Sequence, residues 1–390
     1  MLKHLFKLIW NRKKHNFLLI AEMLVSFIVI FAVFTLLVYF YQNYKQPLGF
    51  EYKNIWTVKF EKRDNIKNND SLTLYFETIN NLLHSMPQIK YAGFISDNYP
   101  FGPSTNNNNV TYNKNSTVSN FYIVQDNYAN VLNLKMIEGR WFNKTDEANK
   151  NKPVVINETL KETLFKNEDA VGKILGESPN TMKVMGVVND FKDKGDYHAL
   201  SPGIFMRMDT SNYNFVQTIL INVRPDADAA FESKLFKSLS NAIGSTIEIV
   251  HLTNERIRIN SITLVPMIIL MIVAGFLIIN VALGLFGVLW YNINLRKNEI
   301  GLRRAVGASG NAISKQLVGE ALMLSTFALI LGSFFAIQFP LLKVFDLPAS
   351  IYLIALLLSI AFIYLLVIIC AFYPGKQAAA IYPATALHED

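Results

Sequence analysis

Four long stretches of this 390-residue sequence are almost free of charged side chains. Each carries at most one charge, and together they comprise residues 17–40, 259–295, 316–338 and 347–375. An α-helix needs about 20 apolar residues to cross the roughly 30 Å hydrocarbon core of a bilayer. The sequence therefore predicts four transmembrane helices, placed at residues 17–40, 261–293, 316–338 and 350–373.

Positive charge is concentrated on two short segments beside these predicted helices. Residues 1–16 and residues 294–315 each contain five Lys or Arg side chains, whereas residues 41–260 are close to neutral, with 25 basic and 24 acidic residues. Short loops rich in Lys and Arg stay in the cytoplasm, while long segments translocate largely regardless of charge. The charge pattern thus places both termini and residues 294–315 in the cytoplasm and residues 41–260 outside it. The net charge of +7 follows from this topology and gives no reason to expect nucleic-acid binding.

Three shorter segments complete the predicted topology. Residues 339–349 form a short external loop, and residues 374–390 form a cytoplasmic tail. In residues 1–16 apolar side chains recur at helical spacing between lysines, which indicates either an amphipathic helix in the inner interface or a continuation of the first transmembrane helix. The single cysteine, Cys370, lies in the fourth predicted helix, so an intrachain disulfide is excluded.

The long external segment, residues 41–260, alternates strand-like and helix-like patterns, which predicts an α+β domain of two lobes. One helix is predicted to begin after a cap at Asp226. Residues 99–121 are rich in Asn, Ser, Gly and Pro, so we expect a long mobile loop there. The uncharged run 259–295 would measure about 55 Å as a helix, longer than the bilayer is thick, and predicts a stalk that rises into the external domain.

Motifs for catalysis or metal binding are not found in the sequence. It contains no G-x-x-x-x-G-K-[ST] phosphate loop, so we expect ATP hydrolysis to occur in a partner and not in this chain. Six scattered histidines and one cysteine predict no metal site. Asp190, Asp193 and Asp196 depart from the ligand spacing of an EF-hand, so a solvated loop is the favoured interpretation over a calcium site.

Three polar residues interrupt the predicted membrane helices. Glu22 and Glu320 lie close to the cytoplasmic boundary, where each carboxylate can reach interfacial water or contact a neighbouring helix. Asn280 lies in mid-span and is predicted to bridge neighbouring helices by a hydrogen bond. So few polar groups would not line a hydrophilic pore, which argues against a channel.

The charged segment 297–309, KNEIGLRRAVGAS, lies between the second and third predicted helices. Glu299 precedes Arg303 by four residues, the favourable order for a helical ion pair. Gly307 is a predicted helix stop and Ser309 a predicted cap for the next helix, while Ile300, Leu302 and Val306 would supply apolar contacts. The segment is either a solvated hairpin that obeys the charge bias or a short rigid helix that transmits force from a cytoplasmic partner.

The end of this segment, EIGLRRAVGAS, closely resembles the signature that follows the second span in FtsX/MacB-like ABC transporter permeases. Three further stretches are similar to the family in the same order: IEGRWFNKTDEANKNKPVVINETLKETLF with AVGKIL and MGVVNDF, then QLVGEALMLS, then YPGKQAAAIYPATALHED. The resemblance covers nearly the whole chain. It implies that the contact with an ABC ATPase is made or shaped by Glu299, Ile300, Gly301, Arg303, Arg304, Ala305, Gly307 and Ala308.

The resemblance also implies a function and partners. The chain would be a non-catalytic permease subunit in the bacterial inner membrane that binds no cofactor, with ATP and Mg²⁺ used by a separate ABC ATPase. A second permease chain, identical or different, would pair with it in the membrane lipid, with a periplasmic or membrane-fusion protein as a further partner. Transmission of ATPase motion to the external domain would serve export or extraction of peptide, lipid-linked or drug-like substrates. Control of an external cell-wall hydrolase and lipoprotein release are the alternatives.

Overall fold

A computed structural model describes residues 13–61, 69–148, 150–166, 168–177, 179 and 181–380. The chain divides into two compact units, Asn43–Thr263 and the pair of segments Met1–Gln42 and Leu264–Asp390. Most of the predicted N-terminal segment 1–16 and the last ten residues of the predicted tail 374–390 lie outside the described residues.

The described helices, in chain order, are α1 (Lys13–Lys45), α2 (Asn69–His84), α3 (Tyr128–Leu132), α4 (Glu158–Phe165), α5 (Ala229–Ile243), α6 (Leu252–Leu295), α7 (Lys297–Ala305), α8 (Gly310–Leu341) and α9 (Ala349–Ala379). The described strands are β1 (Ile55–Phe60), β2 (Ile89–Ser96), β3 (Asn107–Tyr112), β4 (Asn115–Val124), β5 (Met136–Gly139), β6 (Lys152–Asn157), β7 (Ile174–Leu175), β8 (Met182–Val188), β9 (Gly203–Arg207), β10 (Val216–Val223) and β11 (Ile247–His251).

Within the described residues, four helices are long and apolar enough to cross a membrane: Ile20–Lys45 of α1, and all of α6, α8 and α9. Helices suit this role because they satisfy every backbone hydrogen bond internally. Small residues allow close helix contacts; a Cβ atom on Gly332 of α8 would lie 2.3 Å from the Phe27 ring of α1. The prediction of four membrane helices is confirmed. Helix α6 continues without interruption through Pro266.

The Asn43–Thr263 unit is built on one mixed sheet. Among the described residues its strand order is β11-β1-β10-β2-β4-β9-β6-β8-β5, with β3 paired to β4 and β7 to β8. Most neighbours are antiparallel, but β4 pairs with β9 and β6 with β8 in parallel. The prediction of a domain that combines strands and helices is confirmed, and its two lobes correspond to two helix-covered ends of one continuous sheet.

Each end of the sheet has its own core. Helices α2 and α5 pack on β1, β2, β10 and β11 through apolar side chains such as Phe76, Leu235 and Ile219. Helix α4 packs through Leu160 and Leu164 on the strands around β6 and β8. Between the two ends lies an aromatic cluster that includes Phe50, Tyr122, Tyr128, Phe191 and Phe205.

Two local predictions about this unit are wrong. Residues 99–121, expected to be a mobile loop, contain the β3–β4 hairpin, whose Val110 is 1% exposed. Its turn places Asn113 at φ +53°, a conformation that Asn tolerates better than most residues. The predicted cap at Asp226 is displaced by two residues, because Asp228 precedes α5 and accepts a hydrogen bond from the Phe231 N–H at 2.9 Å.

Candidate functional site

The short helix α7 is defined by local interactions at its end and at the start of the next helix. Beyond its last residue the Ala308 N–H donates to the Arg303 carbonyl at 2.9 Å, and Gly307 adopts φ +103°. This is the arrangement by which a glycine in the left-handed region ends a helix. The Ser309 hydroxyl then accepts a hydrogen bond from the Ala312 N–H at 3.3 Å and caps α8. The predicted helix stop and cap are both confirmed.

A chain of charged and polar side chains connects α7 with α8. Glu299 and Arg303 form the predicted i,i+4 ion pair, with Oε1 and Nη2 2.5 Å apart. Arg303 Nη1 also donates to Gln316 Oε1 at 2.9 Å, and Gln316 Nε2 donates to Glu320 Oε1 at 3.1 Å. Glu320 in turn binds Arg296 Nη1 through both carboxylate oxygens, at 2.9 and 3.1 Å.

The inward face of α7 packs on three membrane helices. Ile300 and Gly301 are buried, and Ile300 belongs to a small core that gathers residues from α6, α8 and α9. Its other members are Ile293, Ile313, Leu317 and Ala378. The helix is therefore fixed by apolar packing as well as by the polar chain.

The opposite face of α7 is apolar and exposed. Leu302 is 56% exposed and Val306 is 82% exposed, with exposed Ala305 beside them. Of the three residues predicted to supply apolar contacts, Ile300 turns inward, whereas Leu302 and Val306 turn outward. Arg304 is half-buried, and its Nε atom has no hydrogen-bond partner among the described residues.

The residues singled out from the sequence thus divide into three sets. The polar chain contains Glu299 and Arg303, and the inward face contains Ile300 and Gly301. The outward surface contains the exposed Ala305 and Gly307 and the half-buried Arg304 and Ala308. Sequence reasoning included Arg296 only within the predicted ATPase-binding range 296–308 and did not single out Gln316, and it assigned only apolar contacts to the outward pair Leu302 and Val306. Their four-residue separation was the available signal for that pair, since residues i and i+4 share a helix face.

The three polar residues of the membrane helices have different roles. Glu320 contacts a neighbouring helix segment through Arg296. Glu22 also makes a helix contact, because its Oε2 atom lies 2.8 Å from the position of a Cβ atom on Gly284. Asn280 donates to the carbonyl of Phe276 in its own helix at 2.8 Å, so its predicted bridge to another helix is wrong.

The described residues contain no group of three or more His, Cys, Asp or Glu side chains placed to hold a metal ion. The aspartates of residues 190–196 accept hydrogen bonds instead, Asp190 from Thr159, Asp193 from Tyr122, and Asp196 from Arg256 and Asn260. Asp193 and Asp196 are 4% and 7% exposed, so the interpretation of a solvated loop is wrong.

Family comparisons match both parts of the chain. The MacB-like periplasmic core domain matches residues 17–237, more than half of the chain, and the FtsX-like permease C-terminal domain matches residues 259–383. The chain belongs to the MacB/FtsX-like family of ABC transporter permeases. With four apolar helices, this MacB/FtsX-like permease is a multi-pass membrane protein.

Individual relatives of this permease are distant. The macrolide export ATP-binding/permease protein MacB of Neisseria meningitidis is 23% identical over 290 residues, which cover 72% of this chain and 45% of the relative. The protein of the same name from Bdellovibrio bacteriovorus is 24% identical over 265 residues, 64% of this chain and 41% of the relative. The crystal structure of the periplasmic region of MacB from Actinobacillus actinomycetemcomitans aligns with a TM-score of 0.40 and 19% identity, over 54% of this chain and 94% of that one. The permease spans less than half the length of these curated relatives.

Proposed function

We propose that this chain is the permease subunit of an ABC transporter and transmits ATP-driven motion of a separate ATPase to its extracytoplasmic domain. The observation that carries the proposal is α7, a capped helix between two membrane-length helices. It is fixed on its inward face by the Ile300 core and presents Leu302 and Val306 outward. Exposed apolar side chains on such a rigid element suit a protein partner.

Each residue of the site has a role in this proposal. Ile300 and Gly301 seat α7 on the membrane helices, and Glu299 with Arg303 orients it against α8. Leu302, Ala305, Val306, Gly307 and Ala308 form the surface that the ATPase contacts. The half-buried Arg304 completes that surface and offers its guanidinium group to an acidic side chain of the partner.

Helix α6 supports transmission of motion in preference to a conduit. Its 44 residues measure about 66 Å at 1.5 Å per residue, twice the hydrocarbon thickness. A continuous helix of that length couples displacement at one end to the other. We place both termini in the cytoplasm and the Asn43–Thr263 unit outside the inner membrane of a bacterium, because the basic residues concentrate at residues 1–16 and 294–315.

Helix α6 is also the element that we propose for pairing with a second permease chain. Only 6% of its most apolar stretch is buried, compared with 22–33% for the other three membrane-length helices of the described residues. Its exposed apolar side chains include Ile262, Val265, Ile268, Ile269 and Ile272. A second copy, or a related permease, would cover this surface in the lipid.

The names of the relatives favour export of drug-like molecules as the use of this motion. Deletion of the gene in its host tests that assignment, and increased sensitivity to macrolides is the expected result. Unchanged sensitivity with defective cell separation would assign the motion to control of a cell-wall hydrolase, and lipoproteins retained in the inner membrane would assign it to lipoprotein release.

The proposed ATPase contact is tested with Val306→Asp. Because Val306 is 82% exposed, the substitution should leave the permease fold intact but place an unpaired charge in the interface. We expect the ABC ATPase that co-purifies with tagged permease, identified by mass spectrometry from its phosphate-binding loop, to fall roughly tenfold or more, equivalent to about 1.4 kcal/mol. Asn311→Asp adds the same charge at an exposed position of α8 and is the control. Equal recovery of the ATPase with both variants would refute the contact surface.

A further inference from the structure

A short loop after β8 contacts both helices that enter the Asn43–Thr263 unit. We call residues 192–197 the junction loop. It lies against the last residues of α1 and the first turns of α6, and all of the residues concerned belong to this one unit. The proposed function assigns this loop no role, although it contains two of the three aspartates that the sequence pattern brought out.

On the side of α1 the junction loop holds the helix end through backbone and side-chain groups. Lys192 Nζ donates to the carbonyl of Asn43 and, at 3.1 Å, to the carbonyl of Asp196. Asn43 Nδ2 donates to the Tyr197 carbonyl at 3.2 Å, and the rings of Tyr44 and Tyr197 stack with centroids 5.6 Å apart. Lys192 is 2% exposed, and burial lowers its pKa. Burying an ammonium group costs free energy unless the group is well hydrogen-bonded. The buried position of Lys192 therefore indicates that it serves to hold the junction loop to the end of α1.

On the side of α6 the junction loop is held by a bidentate ion pair. Asp196 accepts from Arg256 Nε at 3.1 Å and Nη2 at 2.9 Å, and also from Asn260 Nδ2 at 2.7 Å. Asn260 Oδ1 accepts from the Asp196 N–H at 3.0 Å. Gly195 adopts φ +102°, and a Cβ atom there would lie 2.7 Å from Asn260 Oδ1, so the loop and the helix meet at a distance that only glycine allows.

The sheet topology gives this contact a mechanical consequence. Helix α6 follows β11 directly, and β11 is at one end of the strand order. The junction loop follows β8, which is next to the other end. The first turns of α6 are therefore joined covalently to one end of the sheet and by Asp196 to the other. Glu255 of α6 also accepts hydrogen bonds from Lys59 of β1 and from Tyr99, each at 3.0 Å. Without Asp196, α6 would therefore stay tied to the β11 side of the sheet and lose its ion pair to the β8 side.

We infer that the junction loop passes motion of α1 and α6 to the whole sheet, with Asp196 as the positioning residue of the α6 attachment. This inference rests on the proposed function and adds to it the place where helix motion enters the external domain. Arg256, Asn260 and Lys192 are the groups through which Asp196 and its loop act. Loss of the ion pair should leave ATPase binding intact and abolish the transfer of motion.

The test is a distance measurement in the full chain with its ATPase in nanodiscs. Spin labels are attached through Leu74→Cys on α2 and Leu357→Cys on α9, a membrane-length helix outside the Asn43–Thr263 unit, both at exposed side chains, in a Cys370→Ser background. Pulsed electron spin resonance gives the distance distribution with and without a non-hydrolysable ATP analogue. Asp196→Asn keeps the size of the side chain and removes its charge. Basal ATP hydrolysis and thermal unfolding are measured on the same samples.

The control variant is Asp146→Asn. It breaks another bidentate pair of the same unit, in which Arg140 Nη1 and Nη2 lie 2.8 and 2.7 Å from the Asp146 carboxylate. We expect the ATP-dependent shift to be present in the wild type and in Asp146→Asn and to be lost in Asp196→Asn, with Arg256→Gln repeating that loss. A shift that survives Asp196→Asn would overturn the inference alone. A wild-type complex that binds ATPase but shows no shift would overturn the proposed function and the inference together.

Discussion

The ion pair between Arg296 and Glu320 provides the sharpest test of how α7 is held. The side chains of Arg296 and Glu320 are 9% and 17% exposed, so both charges are largely withdrawn from solvent. Removing one partner of a fully buried pair costs about 3–5 kcal/mol, whereas an exposed pair contributes about 0–1 kcal/mol. In Arg296→Gln the remaining Glu320 keeps a hydrogen bond from Gln316. We therefore expect a loss of about 2 kcal/mol in the free energy of unfolding of the membrane unit.

The single cysteine of the chain supplies the assay. Cys370 is half-buried in α9, beside the core of the membrane helices. Its labelling by a small maleimide in mildly denaturing mixed micelles reports the opening of that unit. A loss of about 2 kcal/mol should raise the labelling rate roughly 30-fold, since each 1.4 kcal/mol is a factor of ten. Lys315→Gln removes the same charge from an exposed position of α8 and should change the rate by no more than about twofold.

A double-mutant cycle separates the pair from its surroundings. Glu320→Gln should be comparably costly alone, because it leaves the Arg296 guanidinium buried with fewer acceptors. The double variant has two neutral amides and should cost about 1–2 kcal/mol less than the sum of the single variants. The argument that this pair fixes α7 would be refuted if the losses in free energy of the two single variants were additive. Equal rates of Cys370 labelling in Arg296→Gln and Lys315→Gln would also refute it.

Two glycine pairs test close packing in the two units, with the midpoint of thermal unfolding as the measurement. Gly49→Ala would place Cβ 1.9 Å from a backbone oxygen in a residue at φ +81°, and it should lower the free energy of unfolding by roughly 3 kcal/mol or more. Gly172 has a similar φ of +85° but open space around it, so Gly172→Ala should lower the free energy by about 1 kcal/mol. Gly332→Ala would crowd an aromatic ring of α1 and should cost about 1–3 kcal/mol, while Gly275→Ala meets nothing within 4 Å and should be neutral. Equal shifts of the unfolding midpoint for the two variants of either pair would contradict the close contacts described at Gly49 or Gly332.

The membrane helices could be predicted because the bilayer imposes a simple requirement of length and apolarity. Their ends could not, since absence of charge marks contact with lipid and not the last backbone hydrogen bond. Residues 316–338 were predicted for the third helix, and α8 runs from Gly310 to Leu341. Residues 310–315 include Lys315 and so extend the helix beyond its apolar stretch.

Within α7, sequence reasoning succeeded where the interaction is local. The Glu299–Arg303 pair, the stop at Gly307 and the cap at Ser309 each depend on residues within one turn. The contact of Glu320 with Arg296 spans 24 residues and exists only because α8 folds back beside the start of α7. No spacing rule within a single helix could reveal that contact.

The external unit shows the same division between local and distant information. Asn-rich composition suggested disorder for residues 99–121, yet the exposed asparagines of β3 face solvent while Val110 fills the core. The ion pair of Asp196 is made with Arg256, which lies 60 residues away along the chain. Both the strand pairing and the ion pair are decided by the tertiary fold, which overrides local composition.

The two ionic attachments described above lie at opposite ends of the same helix. Arg256 is in the first turns of α6 and Arg296 follows its last residue, and the run between residues 259 and 295 carries no charge. Within one chain only 6% of the most apolar stretch of α6 is buried. On the proposed function, motion that enters at α7 reaches the external unit near Asp196, about 60 Å away along the helix. Variants at the two ends should share one phenotype, an ATPase that still binds and hydrolyses ATP and an external domain that no longer responds. A variant in the exposed middle of α6 that keeps its apolar character should leave the response of the external domain unchanged.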